Sequence, residues 1–138
     1  VGNRLAVYLA ARVSRLRELQ DYKSELEAEG IEVTSRWLLG RHEWEGTPGD
    51  AIPPEHAARF ASAEDMEDIT RSHVVVCFTE APGSGPTRGS CDWKSGYAHG
   101  LGKPQIFVGH RENVFHCLPS MSCVETWEEA VQLLMGAR

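Results

Sequence analysis

The sequence predicts an α/β domain on a parallel sheet of about five strands flanked by helices. Two observations carry this. Short apolar runs alternate with stretches whose apolar residues recur every three to four positions, and this happens in the order strand, helix, strand, helix. The strongest run, His73 to Phe78, is apolar at consecutive positions, as a parallel strand buried on both faces requires. The length of 138 residues suits one domain.

Leu5 to Leu9 reads as the first buried strand. Ser14 is a candidate cap for a helix carrying Leu16, Leu19 and Leu26, stopped by Gly30. Ile31 to Val33 is a second short strand, and the Gly-, Pro- and Trp-rich residues 40–53 form a long loop. Pro53-Pro54 suits the first turn of a helix to about Arg71, followed by the strand at 73–78. Residues 81–90 are a Gly- and Pro-rich loop feeding a helix from about Cys91 to Leu101, which Gly102 and Pro104 end. Gln105 to Val108 and Ser122 to Val124 complete the strands. Thr126 to Glu129 is a capping box opening the terminal helix. These elements make one Rossmann-like (flavodoxin-like) domain spanning 1–138, with no repeat or linker. Ligands of such sheets sit outside the carboxyl ends of the strands, here the loops after Leu9, Val33, Phe78 and Val108.

Fourteen Lys and Arg against twenty Asp and Glu give a net charge of −6, which argues against a nucleic-acid polymer as partner. No apolar run reaches bilayer length and no signal-peptide pattern is seen, so no membrane partner and a cytoplasmic location are expected. The four cysteines have no metal-ligand spacing and are expected as reduced thiols, with neither metal nor organic cofactor.

The loop 79–90 is the richest candidate for ligand binding. Its glycines permit close backbone approach, and it opens directly onto a helix N-terminus, an arrangement that cradles anions. No Lys precedes Ser90, so it is not a Walker A loop.

The stretch Arg88 to Pro104 resembles the nucleoside 2-deoxyribosyltransferase family, which includes related nucleoside 5′-monophosphate N-glycosidases. The family pattern is a glycine-rich loop, a spacer, then Glu-x-Gly-x-Ala-x-x-x-x-Lys-Pro. Here Gly96, Ala98, Lys103 and Pro104 match. Also similar, and in the same order along the chain, are the segments starting at Val7, Asp65, Glu112 and Glu125.

The resemblance implies N-glycosidic bond cleavage or transfer on a nucleoside or nucleotide, through a glutamate that attacks the anomeric carbon. It also implies a homodimer or higher homo-oligomer. It places Lys94 at the nucleophile's position, Asp65 at an acidic position serving the base or leaving group, and Tyr8 and Ala10 in a substrate-lining segment. Gly85, Arg88, Gly89 and Ser90 form the glycine-rich loop, and Trp44 is a candidate to close the base pocket.

Two departures stand out. Lys94 replaces the expected Glu, and Ser72-His73 replaces a small residue followed by Asp. An amine near a developing cation is repulsive, so Asp92 is a candidate substitute carboxylate, although it points about 200° away from Lys94 on an ideal helix. Lys94 with Arg88 could instead bind phosphate, or Lys94 could be a solvated surface residue. Three readings stay open: an N-glycosidic enzyme with a rearranged site, a nucleotide-binding protein without catalysis, and an interaction protein keeping only the fold. Trp93 and Tyr97 read as packing residues. Gly96 and Gly100 read as a bare stripe facing the sheet or a partner helix, and His99 and His42 receive no role.

Overall fold

The computed structural model describes residues 4–40, 53–56, 59, 63–85 and 89–138. Five parallel strands form one sheet: β1 (Ala6–Ala10), β2 (Glu32–Val33), β3 (Val74–Phe78), β4 (Gln105–Val108) and β5 (Met121–Val124). Their order is β2-β1-β3-β4-β5. The α-helices among the described residues are α1 (Leu16–Ala28), α2 (Pro54–His56), α3 (Met66–Arg71), α4 (Ser90–Gly100) and α5 (Trp127–Ala137). The predicted Rossmann-like α/β arrangement is the one found.

Every residue of β1, β3 and β4 is buried, because helices cover both faces of the sheet. On one face, Tyr22 of α1 stacks on Trp127 of α5 at 4.3 Å between ring centres, and both rings meet Phe78 of β3. On the other face, α3 and α4 meet through a 3.0 Å hydrogen bond between the hydroxyls of Thr70 and Tyr97. Register pairs Tyr8 with Val75 and Ala10 with Cys77, so β1 and β3 end side by side. The chain leaves β1 toward β2 on one side, and β3, β4 and β5 run away on the other. This reversal opens a crevice beyond the carboxyl ends of β1 and β3.

The caps show why the helices stop. Gly30, at φ 80°, donates to Glu27 O while Ile31 N–H returns to Leu26 O, the paired bonds of a Schellman motif. Ile31 is therefore spent on the helix, and β2 begins one residue later than expected. At the other end, Ser14 is not the cap: it lies within a 3₁₀ turn at Val13–Arg15, and α1 starts at Leu16 with no side-chain cap. Thr126 does cap α5, its hydroxyl accepting from Glu129 N–H at 3.2 Å. The Glu129 carboxylate returns to the Thr126 hydroxyl rather than to its backbone amide.

Within the helix expected over 53–71, the described residues are helical at 54–56, 59 and 63–71, with a wider π-type stretch at 63–65 leading into α3. Such turns recur at functional sites, and this one carries Asp65.

Candidate functional site

Two anchors set the helices that flank the crevice. Gln105 of β4 is 1% exposed, donates to Ser95 O at 3.0 Å and accepts from Ser95 Oγ at 2.7 Å, which locks α4 to the sheet. Lys103 Nζ donates to Thr70 O and Ser72 O at 2.7 and 2.6 Å, closing the carboxyl end of α3. A cation over the last carbonyls of a helix both satisfies them and complements its dipole. Sequence comparison marked Lys103 only as part of a pattern; its contacts show it to be a positioning residue.

The departure at 72–73 is structural. Ser72 Oγ donates to Ile69 O at 2.7 Å, and His73 Nδ1 accepts the N–H of Ala6 at 2.9 Å. The imidazole thereby pins the start of β1, a task any acceptor at this position could perform.

Lys94 of α4 points back toward the sheet. Its side chain is 11% exposed, and Nζ lies 3.8 Å from Asp65 Oδ2 and 5.6 Å from the ring centres of both Tyr8 and Trp37. It is therefore not a solvated surface residue. Its cost near the start of a helix is offset by the Asp65 carboxylate and by two aromatic faces within cation–π range. Asp65 stands where an N-cap would, yet its side chain makes no capping bond.

Tyr8 is fully buried, and its hydroxyl has no hydrogen-bond partner among the described residues. Burial pushes its phenol well above the usual value, and the Asp65 and Asp68 carboxylates add to this. An orphaned polar atom in a native core calls for an explanation, and here it sits in the Lys94 cluster.

Trp37 was missed from the sequence, where the choice fell on Trp44. It belongs to a 3₁₀ turn at Arg36–Leu39, separated from β2 by Thr34 and Ser35, and its indole N–H donates to Leu9 O at 2.8 Å. Asp68, 0% exposed, fixes that turn by accepting from Arg36 Nε and from Arg36 N–H, each at 2.8 Å. Burial raises the Asp68 carboxyl above its ordinary range, against the lowering effect of Arg36. The available signal was position: an aromatic in the connection that follows the carboxyl end of a strand.

Ala10 ends β1 and is fully buried. In the glycine-rich loop, Arg12 Nη1 and Nη2 donate to Ser84 O and Gly85 O at 2.9 and 3.0 Å. Gly85 has φ 112° and Gly89 φ 81°, and Gly89 directly precedes the first residue of α4, the exposed Ser90. Arg88 and Trp44 lie outside the described residues.

Asp92 is not brought to Lys94. Its side chain is 62% exposed, its Oδ1 accepts from Asn113 Nδ2 at 3.4 Å, and it faces His116 on the other side of α4. Trp93 is 55% exposed and stacks on Tyr97 along the outer surface, so it is no core residue. Gly96 and Gly100 do not touch the sheet: a Cβ at either meets nothing within 4 Å.

No family model matches the chain, and no curated protein matches it in sequence. Solved structures do resemble it. The CMP N-glycosidase BcmB of Clostridium botulinum superposes with a TM-score of 0.55 at 18% identity, over 94% of this chain and 97% of that one. A conserved protein of Enterococcus faecalis V583 superposes with a TM-score of 0.64 at 11% identity, over 99% and 100%. The chain thus shares its α/β fold, end to end, with a nucleotide N-glycosidase. No described helix is long and apolar enough to cross a membrane.

Proposed function

We propose that this protein binds a nucleoside or nucleotide in the crevice beyond β1 and β3, with Lys94 in the place a nucleophilic carboxylate takes in N-glycosidic enzymes. The observation that carries the reading is the Lys94 ammonium, drawn inward beside Asp65 and against the Tyr8 and Trp37 rings. The fold shared with a CMP N-glycosidase supports the ligand class. The α4 N-terminus, with Gly89 and Ser90, is suited to a 5′-phosphate.

Charge decides between binding and cleavage. Cleavage builds an oxocarbenium-like centre on the sugar. At ~4 Å and an effective dielectric near 20, one unit charge contributes about 4 kcal/mol, which corresponds to roughly a thousandfold in rate. An ammonium in the nucleophile's place turns that contribution against the reaction, and Asp65 offsets only part of it. Sugar oxygens and phosphate, by contrast, are attracted.

A second reading keeps an N-glycosidic hydrolase or transferase, with Asp65 as its carboxylate. It is favoured by the position of the Asp65 carboxylate, 16% exposed and 3.8 Å from Lys94 Nζ, within the same cluster.

Incubation with nucleosides and their 5′-monophosphates separates the two. The expected result is a ligand-dependent rise in melting temperature, lost in Lys94→Ala, with no free base detected by chromatography. Base release by the parent protein, abolished in Asp65→Asn, overturns the first reading in favour of the second.

A further inference from the structure

A cavity of about 380 Å³ opens on the side of α4 away from Lys94. Among its walls are Asp92 and Gly96 of α4, Asn113, Phe115 and His116 of the segment after β4, and Met121 of β5. Its size falls within the range of roughly 300–1,000 Å³ usual for small-molecule pockets. The crevice residues Tyr8, Trp37, Asp65 and Lys94 take no part in it.

Two polar groups in this cavity, His116 Nε2 and Asp92 Oδ1, face each other without bonding. His116 is 3% exposed, and its ring stacks on Phe107 at 4.2 Å between centres. Its Nδ1 accepts the N–H of Glu112 at 3.1 Å, so the proton of the neutral ring sits on Nε2. That Nε2 lies 3.9 Å from Asp92 Oδ1, beyond hydrogen-bond reach, and has no hydrogen-bond partner among the described residues. Asn113 Nδ2 holds the carboxylate in place at 3.4 Å. A donor on a largely buried ring and a charged acceptor thus stand next to each other, close enough for the edge of one ligand to meet both.

The rest of the wall selects the ligand further. Phe115 is 67% exposed and offers a ring face, Leu118 and Met121 are apolar, and Gly96 leaves its side of the cavity bare. The carboxylate disfavours phosphate, and no metal-binding group of three such side chains occurs among the described residues. A flat ligand with an N–H beside a C=O fits both the polar pair and the walls.

We propose that this cavity binds a planar lactam heterocycle of the nucleobase kind, its N–H donating to Asp92 and its adjacent carbonyl accepting from His116 Nε2–H, with the ring against Phe115. The site does not depend on the function proposed for the crevice, since the two share no residue.

The test is calorimetric titration of the full chain with uracil and hypoxanthine, with 1,3-dimethyluracil as the analogue lacking both N–H groups. Uracil is expected to bind, and the dimethyl analogue to bind at least about tenfold more weakly, the usual cost of a lost hydrogen bond to a charged group. Gly96→Leu fills the cavity from a helical position where an added Cβ meets nothing within 4 Å, and replacing a mid-helix Gly favours the fold. It is expected to abolish uracil binding while its melting curve stays cooperative. Phe115→Ala should weaken binding without unfolding, because that ring is mostly exposed. The proposal is overturned if no base binds, if dimethyluracil binds as well as uracil, or if binding survives Gly96→Leu. A dimer that Phe115→Ala dissociates, in a protein that takes up no base, likewise overturns it and assigns the face to a second copy of the chain.

Discussion

Lys94 Nζ and Asp65 Oδ2 stand 3.8 Å apart, within Coulombic attraction but outside hydrogen-bond distance, at the closed end of the crevice between α3 and α4. Their side chains are 11% and 16% exposed, so each offsets part of the other's loss of water. A tight buried pair costs about 3–5 kcal/mol when one partner is removed.

At the looser spacing found here, Lys94→Met is expected to destabilise the fold by on the order of 2 kcal/mol. Asp65→Asn should cost a similar amount, and the double variant less than the sum of the two. Urea melts of the four proteins give the coupling energy, expected near 1 kcal/mol or more for charged groups in contact. A coupling of zero would show that the two charges are solvated separately.

Lys94→Glu is the complementary substitution. It removes the ammonium that opposes positive charge on the sugar and supplies an acceptor near the orphaned Tyr8 hydroxyl. It also sets two carboxylates face to face, so a loss of about 1–3 kcal/mol in stability is expected from like-charge crowding in a poorly solvated site. The variant should release free base from a nucleoside 5′-monophosphate faster than the parent does. Equal rates under chromatographic assay, with the variant folded, would mean that position 94 does not face the anomeric carbon.

Much of this was visible in the sequence, for reasons that differ between residues. Val74 to Phe78 could be read as a central strand because burial on both faces leaves an unbroken apolar run. Gly30 could be read as a stop because few other residues adopt its backbone conformation. The nearness of Asp65 to Lys94, by contrast, depends on α3 and α4 being side by side, which Lys103 and Gln105 secure through long-range bonds that no local pattern encodes. Trp37 escaped because its role comes from a bond back to Leu9 across the β1 end, whereas the sequence offered only a tryptophan some residues after the short strand at Ile31 to Val33. Ser14 misled because a good capping residue was one position away from the turn the chain needed there. Asp92 was within two residues of Lys94 in sequence, and helical rotation alone put it on another face.

Tyr22 supplies a prediction on pH. Its phenol donates to Glu18 Oε2 at 2.8 Å, and its ring is stacked on Trp127. Burial first, and the bond to Glu18 second, push its pKa from the ordinary 10 to about 12. Between those values the folded phenol keeps a proton that the unfolded chain has lost. The unfolded state then binds fewer protons, and stability falls as pH rises. This contribution is whole below pH 10 and is lost on the way to about pH 12. An ultraviolet absorbance titration should show a late tyrosine step that Tyr22→Phe removes, and urea midpoints should fall less steeply over this window in the variant. A step near pH 10 for Tyr22 would place the hydroxyl in water, contrary to the contact with Glu18.

Arg12 is the residue through which β1 controls the glycine-rich loop. Its two terminal nitrogens hold the carbonyls of Ser84 and Gly85 together, and Gly85 turns there with φ 112°, a conformation few other residues adopt. The bonds are exposed, so Arg12→Ala should change global stability by no more than about 0.5 kcal/mol. Without the fork the loop must be ordered when the ligand arrives, and affinity for a nucleoside 5′-monophosphate should fall roughly three- to tenfold, the cost of immobilising one or two residues. Arg12→Lys should lie near the alanine variant, because an ammonium cannot bridge two carbonyls with the guanidinium's fixed geometry. Amide hydrogen exchange at 83–85 should speed up in both variants. Faster exchange with unchanged nucleotide affinity would separate this loop from the binding site and leave the crevice at Lys94 to act without it.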